Sequence, residues 1–84
     1  MKITVYGPGC ARCKQTEEIV RQAVTQSGVD AEVTKVSDLT TMARAGIMAT
    51  PAVEIDGNMV IRGRVPAINE MVTLMVNAQA KSEG

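Results

Sequence analysis

Along the chain, the spacing of hydrophobic residues switches between the two-residue repeat of strands and the longer repeat of helices. The opening run Lys2-Ile3-Thr4-Val5-Tyr6 is β-branched and aromatic at its core, the composition of a strand. From Ala11 to Ser27 the apolar residues Ile19, Val20, Ala23 and Val24 recur at helical spacing, and Gly28 suits the left-handed residue that ends a helix. Glu32 to Val36 reads as a second strand, and joining it to the first through a helix implies a right-handed parallel βαβ unit. Ser37 or Asp38 then caps a short helix whose apolar face is Leu39, Met42 and Ala43, with Gly46 placed to stop it before Ile47-Met48.

Ala52-Val53-Glu54-Ile55 and Asn58-Met59-Val60-Ile61 flank Asp56-Gly57, a dipeptide whose turn makes two antiparallel neighbours of these strands. Pro66 fits the first turn of a final helix, in which Ile68, Met71, Val72, Met75 and Val76 form a stripe that covers the sheet. The order is βαβαββα, an α/β chain. Residues 1–79 are expected to form a single domain and residues 80–84 a loose tail.

Composition narrows the class. An 84-residue chain with 45% apolar content can build one core. Nine Lys and Arg balance nine Asp and Glu, so no overall basic footprint points to nucleic acid and partners must be read locally. No apolar run approaches membrane-spanning length, and Met1-Lys2-Ile3 enters a strand without a signal-like stretch. A cytoplasmic monomer is expected, with no nucleic-acid or membrane partner and no cofactor.

The candidate chemistry is Cys10-Ala11-Arg12-Cys13, the only two cysteines, set where Gly7-Pro8-Gly9 carries the first strand into the first helix. Open N–H groups and the partial positive charge of a helix N-terminus favour a thiolate at Cys10, delivered there by Gly9. The inward helical face extends back through Thr16 to Cys13, so Cys10 is the exposed attacker and Cys13 the partly buried resolver. Arg12 and Lys14 add positive charge nearby; both also read as solvated surface residues. A structural clip is disfavoured, because loop-closure stabilisation reaches ~3 kcal/mol only for a loop of roughly 15 residues. Two cysteines and no histidine cannot supply a four-ligand zinc site. A soft ion such as Cu(I), or As(III), can still take both thiolates, and that metal-thiolate binder is the alternative function.

These residues resemble the thioredoxin fold in its minimal, glutaredoxin-sized form, over roughly residues 1–79. The resemblance rests on CxxC after the first strand, Thr50-Pro51 before the third, and a turn containing Gly63 before the last helix. More narrowly, Tyr6-Gly7-Pro8-Gly9-Cys10 and Ala49-Thr50-Pro51-Ala52 are similar to the small redox-active disulfide proteins of bacteria and archaea. The resemblance implies a four-stranded mixed sheet in the order 4-3-1-2, with two helices on one face and one on the other, and a cis peptide bond at Pro51. It also implies a thiol–disulfide oxidoreductase in which Cys10 and Cys13 exchange a disulfide with protein partners, and Thr50 and Pro51 contact an extended substrate segment. A thioredoxin-reductase-like electron donor would complete the cycle. Read without the resemblance, Thr50-Pro51 is simply a turn into a strand.

Several residues depart from the relatives. Thioredoxins place tryptophan before the first cysteine and Gly-Pro between the pair, where this chain has Gly9 and Ala11-Arg12. The glutathione-contacting positions of many glutaredoxins are also absent, with Gly63-Arg64-Val65 standing where an acidic pair would follow the glycine. Arg62 and Arg64 would form part of a rim for an anionic substrate if the Gly63 turn lay beside the cysteines; ordinary exposed surface arginines are the favoured reading of both. Met42, Met48, Met59, Met71 and Met75 mostly read as core filler.

Overall fold

The first strand, β1 (Lys2–Tyr6), lies in the interior of a four-stranded sheet ordered β2-β1-β3-β4, where β2 is Glu32–Val36, β3 Ala52–Ile55 and β4 Asn58–Arg62. This is the expected order read from its other edge. The computed structural model describes the backbone of residues 1–83 and the side chains of residues 1–81. β1 runs parallel to β2, with Lys2 opposite Glu32 and Tyr6 opposite Val36, and antiparallel to β3, with Ile3 opposite Ile55 and Tyr6 opposite Ala52. β3 and β4 are antiparallel, and a register shift between Val53 and Glu54 lets the edge strand bulge.

The β3–β4 turn explains its own sequence. Asp56 and Gly57 both take positive φ, 48° and 87°, as the tight hairpin turn that follows strand twist requires. Asp56 also pins the hairpin to β1: its N donates to Lys2 O at 2.9 Å and its Oδ1 accepts from Lys2 N at 2.8 Å.

Two helices cover one face. Helix α1 (Ala11–Ser27) buries Val20 and Ala23, and α3 (Ile68–Glu83) buries Met71 and Met75, against Ile3, Val5, Val53, Ile55 and Ile61. Each of the valine, isoleucine and methionine side chains contributes roughly 1.5–3 kcal/mol by leaving water. The six-residue α2 (Leu39–Arg44) lies on the other face, where Met42 packs with Tyr6 and Ala52. Gly28 ends α1 at φ 70°, and Asp38 caps α2, its Oδ2 accepting from Thr41 N at 2.8 Å.

Three local expectations are corrected. Of the apolar face expected on α2 only Met42 is buried; Leu39 is 69% exposed, because a helix of under two turns presents one residue to the sheet. Met48 is 96% exposed and is not core filler, since it lies in the return loop between α2 and β3. Pro66 is buried just ahead of α3 instead of inside its first turn: the first helical bond runs from Met71 N to Ala67 O, and packing of the ring fixes the proline's place. Helix α3 continues through residues 80–83, part of the stretch expected to be tail, and Gly84 lies outside the described residues. Among the described residues no helix is long and apolar enough to cross a membrane.

Candidate functional site

Cys10 is the N-cap of α1. Its backbone is extended (φ −67°, ψ 167°), its carbonyl accepts the first helical bond from Lys14 N at 3.0 Å, and its Sγ accepts from Cys13 N at 3.3 Å. Sulfur here takes the place that a serine or aspartate oxygen fills at other helix starts. No acidic residue lies in the first turn to offset the positive end of the helix. Cys10 and Cys13 form a disulfide across a Cα–Cα distance of 5.1 Å. Cys10 faces solvent, whereas Cys13 is 1% exposed, the asymmetry that helical spacing anticipated.

The turn before the helix is shaped around the buried sulfur. Gly7, itself buried, continues the β1–β2 ladder by donating to Val36 O at 2.9 Å, and a Cβ placed on it would overlap the side chain of Cys13. Gly9 takes φ 92° with open space around it, so its requirement is conformational. One turn further on, buried Thr16 meets its polar demand within the helix, its Oγ1 donating to Arg12 O at 2.9 Å.

The Thr50–Pro51 peptide bond is cis, and the loop that carries it is tied to α1 through Gly63. Gly63 N donates to Pro51 O at 2.8 Å, and Gly63 O accepts from Arg12 Nη2 at 3.3 Å. At φ 70°, Gly63 sits close enough to the return loop that an added Cβ would lie 3.0 Å from Ala49 Cβ. The cysteine turn, the proline loop and the Gly63 turn therefore meet at one end of the sheet. Thr50 is half-buried there and Pro51 is buried.

The charged candidates separate. Arg12 is a tether between elements, Lys14 stands exposed on the first turn of α1, and Arg62 is exposed at the end of β4. Arg64 is held by Glu70 in a two-pronged ion pair, with Nη1 to Oε1 at 2.8 Å. That contact lowers the carboxyl pKa of Glu70 and raises that of the guanidinium. Among the described residues no group of three or more His, Cys, Asp and Glu converges, so any metal alternative rests on the two sulfurs.

A family model for the thioredoxin domain matches residues 1–76. The chain belongs to the thioredoxin family. A thioredoxin of Methanothermobacter thermautotrophicus is 39% identical over 75 residues, spanning 89% of this chain and 97% of the relative. That of Methanocaldococcus jannaschii is also 39% identical, over 82% of this chain and 79% of its own length. Thioredoxin 1 from the thermophilic eubacterium Thermosipho africanus TCF52B is 21% identical and shares the fold across the whole of both chains, with a TM-score of 0.67. As a family member, this thioredoxin-fold chain is a thiol–disulfide oxidoreductase with a redox-active cysteine pair.

Two features of the site are not legible in the local pattern. Gly7 reads in the sequence as part of the Gly7-Pro8-Gly9 turn, because Gly-Pro marks a turn and carries no sign of the Cys13 side chain packed against it. The tether from Arg12 to Gly63 had no sequence signal, because it joins residues 51 positions apart.

Proposed function

We propose that this thioredoxin-family protein exchanges disulfides with protein partners through Cys10 as nucleophile and Cys13 as resolver. The observation that carries this reading is the solvent-facing Cys10 Sγ at a helix N-cap, joined to the buried Cys13. In the dithiol form the Cys10 thiolate attacks one sulfur of a client disulfide; that S–S bond breaks, the second client sulfur leaves as a thiolate, and a mixed disulfide forms. Cys13 then attacks Cys10 Sγ, releasing the first client sulfur as a thiolate and closing the Cys10–Cys13 disulfide. The client gains two electrons, and two protons complete its thiols.

An electron donor resembling thioredoxin reductase returns the pair to the dithiol, and the cytoplasm, where thiol reductants abound, is the setting in which a monomer would cycle this way. Thr50 and Pro51 hold the extended client segment beside Cys10, with Gly9 and Arg12 fixing the turn and the loop on either side and Lys14 adding positive charge. The test is the Cys13→Ser variant, reduced and mixed with a disulfide-bonded peptide. A mixed disulfide through Cys10 that persists, and that wild type releases, is the expected result. An adduct through Cys13 in the Cys10→Ser variant, with none in Cys13→Ser, would reverse the roles, and a stoichiometric Cu(I) or As(III) complex without exchange would replace the reading.

A further inference from the structure

The balanced charge of the chain conceals an imbalance at the site. Overall, nine basic residues face nine acidic ones. At the end of the sheet where the cysteine turn, the Pro51 loop and the Gly63 turn meet, the cations are Arg12 and Lys14 on the first turn of α1 and Arg62 and Arg64 around Gly63. Of the carboxylates on these elements, Glu17 on α1 is bonded to Arg21 and lies 3.7 Å from Lys35, and Glu18 beside it is exposed, one turn beyond Lys14. Asp38 follows β2 and is engaged as the N-cap of α2, and Glu70, in the first turn of α3, is neutralised by Arg64. Lys14 and Arg62 face solvent, as does Arg12 beyond its bond to Gly63 O.

We infer that Arg12, Lys14 and Arg62 form a basic collar around Cys10 that selects protein segments with acidic residues flanking the reacting disulfide or dithiol. This rests on the exchange reading above and names the client class for the same site. The Arg12–Gly63 bond holds together the two elements that carry the cations, with Arg12 and Lys14 on the α1 side of the sheet end and Arg62, opposite Ala52, on the α2 side, so that they flank the site from both faces. Attraction of this kind raises the rate of encounter and weakens as salt screens it, while the chemistry at sulfur stays the same. Positive charge at the collar also favours the anionic mixed-disulfide exchange, but that gain is shared by all clients and does not discriminate between them.

The test compares three disulfide peptides of one length whose flanking residues are acidic, neutral or basic, reduced by the dithiol protein across a salt series. From ~0.01 to ~0.3 M salt the screening length shortens from about 30 Å to below 10 Å. The expected result is a kcat/KM about tenfold higher for the acidic than for the basic peptide at low salt, converging at high salt. The double variant Lys14→Gln and Arg62→Gln should lose most of that ratio, and Lys81→Gln, at the far end of α3, should keep it. Equal rates for the acidic and basic peptides at low salt, or a ratio untouched by the double variant, would overturn the collar while exchange with the neutral peptide leaves the exchange reading standing. Failure to reduce even the neutral peptide would overturn both.

Discussion

Gly7 approaches Cys13 so closely that a Cβ on residue 7 would stand 2.7 Å from the Cβ of Cys13. The residue that follows β1 and the buried Cys13 side chain thus share space that only a hydrogen can fill. Gly7 N is also committed to Val36 O, so the backbone cannot retreat without loosening the β1–β2 ladder. Gly7→Ala should therefore destabilise the oxidised protein by about 1–3 kcal/mol, the usual cost of overfilling a packed site. Denaturant unfolding of the oxidised form measures it, and an unchanged midpoint would show that the turn yields freely.

Cys10 should titrate apart from Cys13. Its Sγ receives the Cys13 N–H at a helix N-terminus without an acidic residue in the first turn, an environment that favours the thiolate. Alkylation of the reduced protein as a function of pH should show an inflection on Cys10 clearly below the free-cysteine value of about 8.5, with Cys13 reacting far more slowly. Two cysteines reacting alike near that value would contradict an activated nucleophile.

Glycine at position 63 is required twice over, by its φ of 70° and by the neighbouring Ala49 Cβ. Gly28 has the same φ with open space around it. Replacing either by alanine incurs the left-handed penalty of about 1–2 kcal/mol. Gly63→Ala should be the more destabilising of the two, and it alone should slow exchange with peptide clients, because the turn is bonded to Pro51 and Arg12. Thermal unfolding and peptide reduction, compared between the two variants, separate these effects.

Tyr6 gives a direct reading of the sheet face under α2. Burial is the leading cause that raises its phenol above the ordinary value of about 10, and the Glu54 carboxylate, which accepts from the Tyr6 hydroxyl at 3.3 Å, adds to it. The folded protein keeps this proton to higher pH than the unfolded chain does, so the associated stability is intact below about 10 and falls as pH rises toward the folded pKa. With one tyrosine and no tryptophan, ultraviolet absorbance follows Tyr6 alone. Glu54→Gln should lower its midpoint only in part, since burial remains; a midpoint at or below the free value in the native protein would refute the assignment.

Local pattern along the chain is enough to specify the elements, their order and the candidate chemistry. Strands, helices and the Asp56-Gly57 turn are local: side-chain alternation, helical repeat and backbone preference act within a few residues, so β1, α1, β2 and β3 fall where the pattern places them. The two cysteines were legible for the same reason, since a three-residue spacing at a helix start fixes which sulfur is exposed. Family resemblance supplied the strand order and the cis bond at Pro51, which local pattern does not contain. Tertiary structure alone decided the rest. Met48 and Leu39 are apolar yet exposed, because burial depends on what stands opposite a residue and not on its own hydrophobicity. Arg12 became a tether to Gly63 and Gly7 a cradle for Cys13, because chain closure brings together residues whose separation in sequence carries no information about their distance in space.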